Sequence, residues 1–420
     1  MSRSFLRLDN AALIFPAIRR RDWINVFRQS VTLQEPVDPE ILQQAVDDLA
    51  PRFRSMYVRL CTGVFWYYLE QAKQPPRVQP DYAYPLTHMP ASALRRCCFR
   101  VLYHHNRIAV EFFHALTDGT GAMVYLKTLT ARYITLKYHV AIPPEDGVLD
   151  WRQPAPPEEL EDSFQRHTGA KPLSRTEPNA YRLRGTPEPD GFLHLICGVV
   201  STQDLLDAAH RYDVTVTAFL AAVMAQVIIE LQQAERRRPK PVKITVPVNL
   251  RKLFGSRTLR NFALTLNPGV DPRLGSFTLE ELCRQFSLQI AQETTPQLMA
   301  ARICANVKPQ RSMVLRCMPV PIKNLAMRLV YARVGERKGC LNISNLGRVT
   351  LPAALQPYVQ RMEFIIGVQA TYPNNCSVAS CGDVTCINMI RNIQEPELER
   401  RFFSRLVELG IPVKIESNQI

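Results

Sequence analysis

Seven prolines fall between residues 151 and 191, and almost no periodic apolar pattern accompanies them. Proline fixes its own φ and offers no backbone N–H, so no helix or central strand runs through such a stretch. The chain is thereby divided. Residues 1–150 and 192–420 must each build a core, and 151–191 must cross over the surface between them. A chain of 420 residues is too long for one ordinary core and long enough for two.

Periodicity on either side of the crossover mixes strands with helices. In the first half a helix is expected over 40–49, introduced by Pro36 and Pro39. Strands are expected over 97–103 and 107–113, turning at His105-Asn106. From Gly119 the apolar spacing becomes helical, with Met123, Leu126, Thr130 and Tyr133 on one face. In the second half the expected strands are 192–200, 243–248, 259–266, 340–345, 363–372, 383–390 and 412–416. The expected helices are 216–232, 279–294 and 396–409, with a further one opened by the capping pattern Ser201-x-x-Asp204. Strand and helix alternating in two halves means an α/β (α+β) fold with a mixed sheet in each half. The apolar run 214–229 holds Thr215, Thr217 and Gln226 and reads as a buried helix, not a membrane span. With no apolar leader at the start, the expectation is a cytoplasmic protein.

The stretch 111–123 reads EFFHALTDGTGAM. It sets His114, Asp118 and Gly119 where a strand ends and a helix begins, so the imidazole projects from a sheet edge. A side chain with a pKa of about 6.5 accepts a proton at neutral pH. By themselves a His and an Asp four apart are equally the mark of an ordinary surface. A metal pair at this spacing lacks a nearby third ligand. The run Cys376, Cys381, Cys386 has no local histidine or fourth cysteine to complete a zinc site, so no metal is expected.

His-x-x-x-Asp-Gly after an apolar strand resembles the signature of the superfamily of chloramphenicol acetyltransferase, the plant BAHD acyltransferases and peptide-synthetase condensation domains. The segments 35–42 (EPVDPEIL), 51–53 and 65–70 resemble the alcohol acetyltransferase-like branch. So do 246–251 (VPVNLR), 260–262 (RNF) and 343–347 (ISNLG). The resemblance implies two chloramphenicol-acetyltransferase-like domains with the active-site tunnel between them. It makes His114 the general base, and Asp118 a structural member of the site that turns away to pair with an arginine of the second half. Arg251 is the candidate partner. Gly119 matches the glycine that lets the chain turn closely into its helix. Ser344, Asn345 and Asn249 are the candidate polar groups lining the tunnel, able to donate to an oxyanion. The plant branch's Asp-Phe-Gly-Trp-Gly block is absent, and Phe113 stands where many relatives carry a second histidine.

The implied reaction moves an acyl group from acyl-CoA, a co-substrate and not a bound cofactor, to a small hydroxyl or amine acceptor. Two alternatives stay open: a condensation-type enzyme taking its acyl group from a carrier protein, and an inert relative that only binds an acyl ligand. A hydrolase lacks its Gly-x-Ser-x-Gly elbow here, and no P-loop or dinucleotide fingerprint is present. The formal charge of +14 suits a polyanion such as CoA. Its arginines are dispersed and no nucleic-acid motif accompanies them, so nucleic acid is not the expected partner. The short runs 19–21 and 236–238 read as solvated loops.

Overall fold

In the computed structural model, which describes residues 5–19, 24–82, 84–173, 177–235, 238–334, 337–369 and 372–418, two mixed sheets flanked by helices carry the fold. Arg20, Arg21, Arg236 and Arg237 of the two basic runs lie outside the described residues.

The first sheet has five strands in the order Val359–Ile366, Val26–Leu33, Arg107–Phe113, Phe99–His104, Gln79–Pro80. Its pairs are antiparallel except the last. Arg28, Glu111 and Arg100 stand opposite one another across three adjacent strands. The Glu111 carboxylate accepts from Arg28 Nε at 2.7 Å and from Arg100 Nε at 2.6 Å. A charge in a sheet interior is tolerable only when paired and hydrogen-bonded in this way. The helices Pro39–Leu49 and Gly119–Tyr138 cover the sheet. A small antiparallel sheet of Phe5–Arg7, Tyr67–Gln71 and Val58–Thr62 stands beside it.

The second sheet runs Ala263–Leu266, Val242–Asn249, Leu341–Val349, Asn374–Cys381, Val384–Arg391, His194–Ser201, Lys414–Ser417. Leu341–Val349 is parallel to both of its neighbours and the other pairs are antiparallel. Val216–Ala234 is the core helix of this half, with Phe219 to Ala225 buried throughout. Its length and apolarity match a membrane span by composition alone, but its partners are the helices Leu279–Glu293 and Glu397–Glu408.

One strand ignores the sequence boundary. Val359–Ile366 belongs to the second half of the chain but completes the first sheet, pairing antiparallel with Val26–Leu33. The crossover 151–191 also does more than span a surface. Arg52 of the first half pairs with buried Glu159, and the Glu159 carbonyl accepts from Leu259 N at 2.9 Å. The halves are therefore laced together near residues 258–262.

Several element boundaries differ from the periodicity. The strand expected over 259–266 begins only at Ala263. That expected over 363–372 runs from Val359 to Ile366, and Asn374–Cys381 is a separate strand. Helices Pro296–Val307, Met313–Cys317 and Val320–Val334 fill a segment that periodicity left unassigned.

Candidate active site

The central strand Arg107–Phe113 delivers His114 to the junction of the two halves. The His114 N–H donates to Asn25 O at 2.9 Å, continuing the pairing with the neighbouring strand, and Leu116 N then bonds back to Phe113 O at 2.8 Å. This tight turn ends the strand and leads to Asp118, which caps the helix Gly119–Tyr138. Asp118 Oδ1 accepts from the N–H groups of Thr120 at 3.1 Å and Gly121 at 3.2 Å, the usual use of an aspartate at a helix N-terminus.

The imidazole of His114 is half-buried between two phenylalanines. Phe15 stacks on it with ring centroids 4.5 Å apart, and Phe27 meets it edge-on at 5.0 Å. Asn261, from the second half, faces Nδ1 with its Oδ1 at 3.2 Å. Asn261 Nδ2 donates to Oδ2 of Asp9 at 3.3 Å. Asp9 is fully buried, accepts from Ala12 N at 2.8 Å, and has Arg260 Nε at 3.7 Å. An ionised carboxylate only accepts, so it orients the amide of Asn261 with the oxygen toward His114. That oxygen needs a proton on Nδ1. The Nε2 lone pair is then the basic position.

Burial pushes the His114 pKa below 6.5, against the opposing pull of its own backbone carbonyl, Asp118 and Asn261. The imidazole is therefore neutral at pH 7. Burial also raises Asp9 to about 6, partly countered by Arg260.

Asp118 points away from the histidine ring. Its Oδ2 accepts from Arg251 Nη1 and from Phe262 N, both at 2.8 Å. The Arg251 guanidinium is nearly saturated: Nε donates to Thr258 O at 2.7 Å and Nη2 to Arg260 O at 2.5 Å. Burial alone would raise the Asp118 carboxyl, but the charge and hydrogen bonds of Arg251, with the backbone donors, outweigh it and hold the pKa below 3.8. Residues 259–262 are not strand because their backbone groups are taken one by one: Phe262 N donates to Asp118, Arg260 O accepts from Arg251, Leu259 N donates to Glu159 O and Leu259 O accepts from Thr117 Oγ1.

The glycines divide their work differently from the expectation. A Cβ on Gly119 would come 2.8 Å from Cδ2 of Leu346, the movable end of a side chain. A Cβ on Gly121 would collide with the carbonyl of Leu259, a backbone group of the other half, and with Thr117 Oγ1. Gly121 is thus the position where the halves need bare backbone, and neither glycine has a positive φ.

The three polar candidates separate. Asn249 donates from Nδ2 to Thr120 Oγ1 at 3.1 Å and accepts from Arg251 N at 3.0 Å. It ties the second sheet to the first turn of the His114 helix. Asn345 turns into its own half, donating to Thr217 Oγ1 at 3.1 Å and accepting from Gly347 N at 2.8 Å. Ser344 is opposite to Asn345 by the alternation of a strand, and its hydroxyl has no hydrogen-bond partner among the described residues.

Sequence reasoning missed Asp9 and Asn261. The RNF block at 260–262 held the signal for Asn261, but nothing in its spacing linked it to His114.

Cys376 and Cys381 stand at separate places along one strand, and Cys386 opposes Ala379 on the next. Cys386 instead approaches Cys197 and Glu363, three buried groups whose donor atoms lie within 4.8 Å of one another. Arg361 already pairs with Glu363 at 2.8 Å, a cation in competition with any metal there. Cavities lined by Arg28, Tyr84 and Phe192, and by Ile196, Phe403 and Val413, both lie away from His114.

No family model matches the chain, and no curated protein matches it in sequence. Solved structures do match in fold. Trichothecene 15-O-acetyltransferase from Fusarium sporotrichioides superposes with a TM-score of 0.62 at 11% identity, over 97% of this chain and 94% of that one. A protein of F. graminearum crystallised with coenzyme A and T-2 mycotoxin gives 0.62 at 10%, over 98% and 99%. The first condensation domain of the calcium-dependent antibiotic synthetase gives 0.61 at 15%, over 97% and 96%. The chain shares, over nearly its whole length, the fold of these solved structures.

Proposed function

We propose that this chain is an acyltransferase that moves an acyl group from acyl-CoA to a small hydroxyl or amine acceptor, alcohol first, with His114 as general base. The observation that carries the reading is the relay at His114. Its Nδ1 is tied through Asn261 to buried Asp9, which leaves Nε2 as a neutral, oriented base at the junction of two halves.

In the proposed reaction, acceptor and thioester meet at Nε2 in a tunnel between the halves. Nε2 takes the proton of the acceptor X–H as X attacks the thioester carbonyl. The tetrahedral oxyanion collapses, the C–S bond breaks, and Nε2–H returns the proton to the departing thiolate. General-base assistance is worth about 10²–10⁴-fold, and an oxyanion donor about 10²–10³-fold. Of the candidates, Ser344 has the uncommitted hydroxyl, while the amides of Asn249 and Asn345 are engaged elsewhere. Asp118 and Arg251 would hold the loop that carries Asn261 against His114, a positioning role and not a third member of a triad.

The fold likeness to a condensation domain favours a second reading, in which the thioester arrives on a carrier protein. Both readings are tested by incubating wild type and His114→Ala with acetyl-, butyryl- and palmitoyl-CoA, or the same acyl groups on a carrier protein, and a panel of alcohols and amines. Free CoA and acylated product are read by mass spectrometry. Product from wild type alone is expected. Equal product from His114→Ala overturns the assignment of the base. Product only from carrier-bound thioesters selects the second reading, and acyl-CoA binding without turnover indicates an inert relative.

A further inference from the structure

We propose that the face built by residues 313–334 and the hairpin tip at 62–66 seats the protein on the surface of an anionic phospholipid bilayer. Phe65, Met313, Val314, Ile322, Leu325 and Leu329 keep between 43% and 73% of their surface exposed. Scattered single apolar residues on a surface are ordinary, but an aligned apolar stripe with an exposed aromatic fastened beside it marks a contact site. Ile322, Leu325 and Leu329 follow the i, i+3, i+7 spacing and form one stripe on the helix Val320–Val334. The hairpin tip is fastened to the same helix. Val320 N donates to Val64 O at 2.9 Å, and Lys323 Nζ donates to Phe65 O at 2.7 Å. Lys323 also sits 3.4 Å from the centre of the Trp66 ring, a pairing of amphipathic residues suited to a headgroup layer.

Charge identifies the occupant. Residues 294–335 hold seven Lys and Arg and no Asp or Glu, an excess equal to half the formal charge of +14. Arg302 of these is paired with Glu293, whereas Lys308 and Arg316 are exposed. An apolar stripe in a segment with this excess of positive charge is the pattern of a helix lying in an anionic lipid interface. The same positive charge opposes a second copy of the chain on this face. The apolar side chains lie along two helices and a hairpin tip, a spread that fits a broad surface better than one peptide. Arg328 Nε donates to Ala17 O at 2.7 Å, so the helix rests on the turn Ile14–Ala17, whose Phe15 stacks on His114. The lipid-facing helix is one packing layer from that ring, although the docking itself does not depend on the catalytic reading.

The test is co-sedimentation of the full chain with vesicles of phosphatidylcholine alone or mixed with phosphatidylglycerol. Binding is expected only to the mixed vesicles and is expected to weaken as salt rises. Leu325→Ser with Leu329→Ser should lower the partition coefficient at least tenfold, and Lys308→Gln with Arg316→Gln by about fivefold per charge. Unchanged melting temperatures would tie these losses to the surface. Absent binding, equal binding to both vesicle types, or undiminished binding by the leucine variant would each overturn the proposal. So would a self-associating chain that ignores vesicles, or capture of an acidic protein through this face without any affinity for the mixed vesicles.

Discussion

Asp118→Asn isolates the ion pair that joins the two halves. Asparagine caps a helix about as well as aspartate, so the bonds from Thr120 N and Gly121 N survive the change. The loss falls on the other side of the carboxyl. There, Oδ2 accepts from both Arg251 Nη1 and Phe262 N at 2.8 Å. In the variant an NH₂ group takes that place and points donor against donors. Arg251 stays buried with three carbonyl or amide acceptors but no counter-charge. Breaking a buried pair by removing one partner costs about 3–5 kcal/mol. With an unfolding entropy of about 2.1 cal/mol/K per residue, 420 residues give about 0.9 kcal/mol/K, so Tm should fall by about 3–6 °C. The assay is thermal unfolding of wild type, Asp118→Asn, Arg251→Met, and the two combined. The double variant removes the stranded charge and should recover part of the loss. A single variant melting within about 1 °C of wild type, or a double variant whose loss is the plain sum of the singles, would refute the reasoning. The carboxyl's pKa is depressed, so its contribution is fully present above 3.8 and is lost as the pH falls through the lower folded value.

Three further outcomes are expected. Asp9→Asn can donate to Asn261, which lets that amide turn its NH₂ toward His114 and moves the ring proton to Nε2. kcat should fall by about 10²–10⁴-fold, as for a base held in the wrong tautomer, and ¹⁵N NMR of the ring reads the proton's position directly. The acid limb of kcat/KM should lie below pH 6.5, because burial favours the neutral imidazole of the free enzyme. It should steepen near pH 6, where Asp9 gains its proton and ceases to orient Asn261. Ser344→Ala should lower kcat by about 10²–10³-fold with little change in KM; an unchanged kcat removes Ser344 from the oxyanion site.

What periodicity and motif made legible, and what they did not, divide on a physical line. The motif at 114–119 is contiguous, and a strand ending in a tight turn at a helix cap can be read from local rules alone. Arg251 was reachable only through resemblance, because 133 positions separate it from Asp118. Asp9 lies 252 positions from Asn261 and carries no local pattern at all. Two of the missed strands fail for one shared reason. Val26–Leu33 contains Arg28, Gln29 and Ser30, and Asn374–Cys381 contains Asn374, Asn375 and Ser377, all buried. A central strand covered on both faces ordinarily reads as continuous apolar residues, so polar runs of this kind signal a loop. Here most of their polar atoms are met by partners distant in sequence, although Gln29 Oε1 and Asn374 Oδ1 have none among the described residues. Arg28 pairs with Glu111 and Asp81, and Ser377 Oγ donates to Phe364 O at 2.6 Å. Residues 259–262 err in the opposite sense: Leu259 and Phe262 are apolar enough for a strand, but Leu259 N donates to Glu159 O, Leu259 O accepts from Thr117 Oγ1, Phe262 N donates to Asp118 and Phe262 O accepts from Leu250 N. In each case a long-range polar contact overrides the local period. The segments that periodicity left unassigned at 26–33 and misread at 259–262 also supply Phe27 and Asn261 to the histidine. At 259–262 the misreading and the site share a cause, because the contacts that hold Asn261 beside His114 come from across the junction of the two halves.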